Sequence, residues 1–403
     1  RKYGDRAQSS SCSMAAYHIH REACALCHGS SFCRISWQLD RIVRCATVFE
    51  HSNLSYDVFC GQILPAYDNF EKNSERIGMS IHGSLRSIFR ICGRACYKML
   101  PLEWFLRLKF RVLMGRSLNL DNPSTFSEKI YCLKVLNGEL RAPLIQRCYD
   151  KVNVRDYVVE KLGQKRGEAI LNELYGVYDR PEDIDFNQLP NAFALKVTQS
   201  SGFNVLCLDK NRLDKSEVVQ KLKDWQRISN MMGDFSEEGY IYDGHARICC
   251  ERYLRQEDGS VPPDIRIYCF HGVPRLFVCD FGTTNDDGSH GTHIVRNVYD
   301  ESWNLLEVDL GRPHDPSVVM EKPDNLDELI FVARKLSEDF PFVRVDLYNL
   351  NESIIFGELT WIPMGGNCII SPLSFDREMG SWLDIPNWHD PIETKRQVQE
   401  PTR

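Results

Sequence analysis

No stretch of this 403-residue chain reaches the roughly 18 consecutive apolar residues that a membrane-spanning helix needs. A transmembrane segment is therefore not expected. A secretory signal is not expected either, because polar and charged residues run through positions 1 to 25. The chain opens on Arg1 and not on Met, so the N-terminus is expected to be missing or altered. An excess of positive charge is also lacking. Lys and Arg number 49 against 56 Asp and Glu, for a formal charge of -7 and a pI near 5.9. That balance argues against a general nucleic-acid or anionic-membrane binder, with "RLKFRVLMGR" (107–116) as a local basic exception. The 43% hydrophobic and 26% charged content is that of an ordinary globular protein, and the length suits two or three domains.

Cysteine, by contrast, is abundant at 16 residues and unevenly spread. Half fall in the first 100 residues: Cys12, Cys24, Cys27, Cys33, Cys45, Cys60, Cys92 and Cys96. The remainder sit mostly inside apolar, strand-like runs and read as reduced, buried, small hydrophobes. Residues 1–90 are rich in Ser, Cys, His and Arg and keep no long period, so a poorly ordered or non-native leader is expected. "CALCH" within it has the spacing of a haem attachment site (Cys24, Cys27, His28), and Cys33 could complete a zinc set. Both readings compete with a chance CxxC in a Cys-rich segment.

A helical region is expected over 91–165. "YKMLPLEWFLRLKFRVLMG" has helical apolar spacing, and Thr125 with Glu128 fits a capping box. "LIQRCYDKVNVRDYVVEKLG" reads as one or two amphipathic helices ending at Gly163. From 166 to 375 strands and helices mix without strict βαβ alternation, which predicts an α+β domain followed by a tail at 376–403.

Several strands in that domain carry chemistry. Lys196 lies near the end of the apolar strand "NAFALKVT", just before the loop Ser200-Ser201-Gly202. A lysine beside a small-residue loop suits phosphate binding, although it could equally be a strand-end lysine reaching solvent. Glu251, Arg252 and Leu254 end a strand at a hinge, which could meet an adenine edge or be plain surface charge. Asp264 and Arg266 share one face of "DIRIYCF". In the hairpin "VRVDLYNLNESIIFGELTW", Arg344, Asp346 and Tyr348 share a face, as do Glu358 and Thr360. Two convergent carboxylates suffice for Mg²⁺ when substrate phosphates complete its shell. An Arg344 salt bridge is the alternative for this hairpin. His290 and His293, in "FGTTNDDGSHGTH" (281–293), could be ligands or bases, with a surface loop as the plainer expectation.

Taken in order, strand lysine, Gly/Ser loop, "ERYL", "DIR", "RVDL" and "GEL" resemble the ATP-grasp superfamily. More closely, "FSEKI", "DKVNVRDYVVEKLG", "VYDRPEDIDFNQLPNAFALK", "FPFVRVDLYN" and "FGELT" are similar to its TupA-like branch, named for teichuronopeptide biosynthesis, over about residues 120–375. The resemblance implies two α+β subdomains clasping ATP, with a helical region before them. It also implies an ATP- and Mg²⁺-dependent carboxylate–amine ligase with saccharide- or amino-acid-derived substrates. Its setting would be cytoplasmic, in cell-surface polysaccharide or peptide-polymer assembly.

By that resemblance, Lys196 contacts nucleotide phosphates under a Ser201-Gly202 flap, and Glu251, Arg252 and Leu254 frame adenine. Arg266 and Arg344 stabilise the transferring phosphate, Arg296 serves the acyl-phosphate or acceptor side, and Asp346, Glu358 and Thr360 hold magnesium. Two positions depart from the pattern. Thr360 stands where many ATP-grasp enzymes place Asn, and Gln199-Ser200-Ser201-Gly202 replaces a His-Gly-Ser-Gly loop. Those departures keep open a non-catalytic nucleotide-binding protein, and a glycosyl- or phosphotransferase of glycan assembly stays open because similar sequences are often labelled as such.

Overall fold

Strands β10 (Phe342–Leu350) and β11 (Ser353–Thr360) are built from residues that alternate between two destinations, and this alternation sets up the fold. Val343, Val345 and Leu347 go to the core, whereas Arg344 and Asp346 go to the opposite face. The computed structural model describes residues 100–234, 236–256, 264–281 and 294–385. The Cys24/Cys27/His28/Cys33 cluster, the leader 1–90, His290 and His293 lie outside the described residues. Residues 109–403 form one unit and 1–108 another.

Helices dominate the early part of the described chain. Helix α1 (Leu102–Met114) is followed by α2 (Phe126–Leu136). The capping box at its start is present: Glu128 N donates to Thr125 Oγ1 at 3.2 Å, and Thr125 N donates to Glu128 Oε2 at 3.1 Å. A five-residue π-helical stretch, Asn137–Arg141, links α2 to α3 (Ala142–Tyr149). Helix α4 (Val154–Leu162) then ends at Gly163, whose φ of 79° suits glycine, and α5 (Gln164–Ile170) follows directly.

Two antiparallel sheets follow. The smaller has the order β1-β4-β2-β3, from β1 (Leu174–Tyr178), β2 (Phe193–Val197), β3 (Asn204–Cys207) and β4 (Ile248–Arg252). Its core packs Phe193, Leu195 and Val197 against Val218 and Leu222 of α6 (Lys215–Met231). The larger has the order β11-β10-β5-β6-β7-β8, adding β5 (Asp264–Phe270), β6 (Val273–Phe281), β7 (Val295–Tyr299) and β8 (Leu305–Leu306). One of its faces packs against α7 (Leu326–Ser337) through Leu329, Val332 and Leu336. A small ladder joins β9 (Asp309–Leu310) to β12 (Ile370–Ser371), and α8 (Leu373–Ser381) crosses the expected 375/376 boundary.

The eight cysteines among the described residues, from Cys132 to Cys368, are all buried and free of disulfides. Among the described residues no helix is long and apolar enough to cross a membrane.

Candidate functional site

Cross-strand register gathers the site. Residues directly opposite in a ladder share a face. Glu358 lies opposite Asp346, which lies opposite Arg266, which lies opposite Val278. The neighbouring rows run Thr360–Arg344–Tyr268 and Tyr348–Asp264. Asp280 pairs with Arg296 at the far side. One face of the large sheet therefore carries Arg266, Arg296, Arg344, Asp346, Glu358 and Thr360 together.

A bulge at Gly357 sets this register, because the ladder shifts between Asp346 and Leu347. A Cβ there would lie 2.9 Å from the backbone oxygen of Asp346, so the position requires glycine. Arg344 binds both acids: Nε to Asp346 Oδ1 at 2.7 Å, Nη2 to Asp346 Oδ2 at 2.6 Å, and Nη2 to Glu358 Oε1 at 3.3 Å. Thr360 Oγ1 donates to Glu358 Oε1 at 3.3 Å. Burial pushes the Asp346 carboxyl up to about 6, with Arg344 opposing the rise and Glu358 adding to it. Arg344 is raised, the buried guanidinium being held charged by Asp346.

The salt bridges foreseen for this hairpin are therefore present. The donors also fit Mg²⁺: two facing carboxylates and a hydroxyl are hard oxygen ligands of the kind it takes alongside phosphates. Among the described residues no group of three or more His, Cys, Asp and Glu is placed to hold a metal.

Arg266 extends the network. Its Nη2 lies 2.7 Å from Asp264 Oδ2, its Nε lies 3.9 Å from Asp346 Oδ2, and its Nη1 donates to Asp280. Arg296 donates Nε and Nη2 to the two oxygens of Asp280 at 2.5 and 2.8 Å, and Nη1 to the Leu310 carbonyl at 2.9 Å. Burial alone would raise the Asp280 carboxyl, but its arginines hold it below the ordinary carboxylate value.

On the small sheet Lys196 and Glu251 are bonded, Nζ to Oε2 at 2.7 Å, across adjacent strands β2 and β4. Burial works against the ammonium, but Glu251 more than offsets it, so the Lys196 pKa is raised. Tyr348 of the large sheet sits close enough to Lys196 for each to shift the other's ionisation, which links the two groups of residues. At the hinge, Arg252 uses both backbone groups internally, N to the Glu173 carbonyl and O from Asn172 Nδ2, each at 2.9 Å. Its side chain is exposed, and Leu254 follows beyond the strand end, half-buried.

The loop after β2 is clamped at its base and open at its tip. Gln199 is buried, giving Nε2 to Asp243 Oδ1 at 2.5 Å, and its carbonyl accepts from Ser229. Ser200 Oγ donates to the Val197 carbonyl at 2.9 Å. Ser201 and Gly202 are exposed, and Gly202 has φ +78° with open space around its Cα. Behind this base lies a polar cavity of about 450 Å³, lined by Asp150, Asn153, Asp243 and Arg247 among others.

Sequence reasoning missed Asp280, Arg312 and the Gln199 clamp. Asp280 was detectable by the signal that exposed Asp346, a single acid in an apolar strand.

Among solved structures the chain is similar to D-alanine–D-alanine ligase from Bacillus anthracis, at 14% identity and TM-score 0.36, over 63% of this chain and 68% of that one. It is also similar to the ATP-grasp ligase PsnB complexed with a phosphomimetic precursor variant, Mg and ADP, at 10% identity and TM-score 0.32, over 64% and 60%. L-amino acid ligase from Bacillus licheniformis gives 13% identity and TM-score 0.34, over 55% and 44%. The chain thus spans less than two thirds of the latter two proteins. No curated protein matches it. The sequence pattern described as TupA-like ATPgrasp matches residues 129–384, more than half of the chain, and the chain belongs to that ATP-grasp family.

Proposed function

We propose that this protein is an ATP- and Mg²⁺-dependent carboxylate–amine ligase, acting in the cytoplasm on saccharide- or amino-acid-derived substrates for cell-surface polysaccharide or peptide-polymer assembly. The observation that carries the reading is the shared face of Arg266, Arg344, Asp346 and Glu358 on three adjacent strands, together with the Lys196–Glu251 pair of the small sheet. Asp346 and Glu358 would hold Mg²⁺, which would supply positive charge to offset that of the phosphates.

The chain's own groups have distinct tasks in this reading. Lys196, kept charged by Glu251, neutralises nucleotide phosphates, and the Ser201-Gly202 tip covers them. Glu251 and Leu254, with Arg252 at the strand end, border the adenine. Asp346 and Glu358, with Thr360, hold the metal. Arg266 and Arg344 stabilise negative charge as a substrate carboxylate oxygen bonds to the γ-phosphorus and ADP departs. Arg296 faces the acyl-phosphate side, where an amine attacks the acyl carbon, loses a proton and expels phosphate. Positioning and electrostatics carry this chemistry, so it requires no nucleophilic Ser or Cys.

The test is ADP release from Mg²⁺·ATP across a panel of uronic acids and amino acids offered as carboxylate and amine. Release that needs both partners, with ¹⁸O passing from a labelled carboxylate into phosphate, supports the reading. ATP binding without release across the panel favours a non-catalytic nucleotide-binding protein, and turnover of a nucleotide sugar in place of ATP favours a transferase.

A further inference from the structure

Asp280 is the most heavily engaged carboxylate of the large sheet, and the roles assigned above leave it unused. Its side chain has 0% exposure, and it binds three guanidiniums from three separate segments. Arg296 reaches it from the neighbouring strand β7, Arg266 reaches it diagonally from β5, and Arg312 Nη1 reaches Oδ2 at 2.7 Å from the loop after β9. All three arginines touch the same oxygen, Oδ2.

An inter-strand staple needs one arginine per carboxylate. Here Asp264 and Asp346 also engage Arg266, whereas among the described residues Arg296 and Arg312 share Asp280 as their one carboxylate. Two guanidiniums on one carboxylate leave a positive charge locally uncompensated at Arg296 and Arg312. Like charges held this close repel one another unless an anion lies among them. Asp280 supplies the buried anion, and the surplus cation leaves room for a second anion from the substrate.

Arg312 is the member that could meet such an anion. It keeps 34% of its side chain exposed while Nη1 is tied to Asp280. The loop that carries it is pinned on both sides: Gly311 N donates to the Ile369 carbonyl at 2.8 Å, and Arg296 N donates to the Pro313 carbonyl at 2.9 Å. A guanidinium fork anchored at one nitrogen and open at the others is a preorganised phosphate contact.

We propose that Asp280 is a positioning residue that holds Arg266, Arg296 and Arg312 as one cradle for the terminal phosphate, with Arg312 as its third anion-contacting side chain. This rests on the ligase reading above and adds two residues to its site.

The experiment compares the affinities of Mg²⁺·AMP-PNP and Mg²⁺·ADP by calorimetry on the full chain. A cradle for the terminal phosphate acts on the first ligand and not the second, whereas a purely structural staple changes both alike. Asp280→Asn is expected to lose about tenfold in AMP-PNP affinity while ADP affinity stays within about twofold, and Asp280→Glu to recover part of the loss. Arg312→Gln, at a partly exposed position, is expected to show the same selective loss, and it alone decides if Asp280→Asn does not fold. Unchanged selectivity in these variants overturns the cradle, as does a wild-type protein that binds both nucleotides equally. A wild-type protein that binds neither nucleotide overturns the ligase reading itself, so the two failures are told apart.

Discussion

Replacing Lys196 by glutamine removes the ammonium from a pair that is largely out of solvent, with Lys196 26% and Glu251 10% exposed at 2.7 Å separation. Breaking a fully buried pair costs roughly 3–5 kcal/mol, because the remaining charge is left without its partner. Two features here reduce that figure. Lys196 keeps a quarter of its side chain in water, and Arg155 Nη1 stands 4.0 Å from Glu251 Oε1 as a partial substitute. The expected loss is therefore about 2–3 kcal/mol, read by urea denaturation followed by circular dichroism. The double variant Lys196→Gln/Glu251→Gln removes both charges and keeps two hydrogen-bonding amides, so it should lie within about 1 kcal/mol of wild type. A single-variant loss below about 0.5 kcal/mol, the value of an exposed pair, would refute the reasoning, and so would strict additivity in the double variant.

Other perturbations test the hairpin and the loop. Gly357→Ala places a Cβ 2.9 Å from the Asp346 carbonyl, so it should cost about 1–3 kcal/mol in denaturation and weaken Mg²⁺·ATP binding by displacing both acids. Gly202→Ala meets no neighbour but must hold φ +78°, and a stability loss of about 1 kcal/mol is expected from strain alone. Thr360→Asn offers an amide oxygen in place of the hydroxyl that now bonds Glu358 at 3.3 Å. It should lower the Mg²⁺ concentration needed for half-maximal ATP binding, and an unchanged titration would place residue 360 outside the metal shell.

Much of the fold was legible because its signals are local. The Thr125–Glu128 capping box, the Gly163 stop and the alternation of β10 and β11 each depend on residues within a few positions of one another. Alternation shows which face a residue takes, and it correctly grouped Arg344 with Asp346 and Glu358 with Thr360. It does not show which strands become neighbours. The order β11-β10-β5-β6 places Arg266 beside Asp346 through a pairing between segments far apart in the chain. Asp280 stood out locally as a single acid in an apolar strand, but its partners stayed hidden for the same reason, since they come from three segments. Arg312 carried no local signal at all, since the loop that presents it belongs to no long element. The Gln199 clamp was likewise read only as a departure from a loop pattern, whereas its amide ties the loop to Asp243.

The central claim, that the hairpin acids serve a magnesium–nucleotide site, is tested most directly by thermal shift with ATP, ADP and UDP-sugars, each with and without Mg²⁺, on wild type and Asp346→Asn. The account predicts stabilisation by ATP that depends on Mg²⁺ in wild type and disappears in Asp346→Asn. Stabilisation by a UDP-sugar alone, or an ATP response indifferent to Mg²⁺ and to Asp346→Asn, would contradict it.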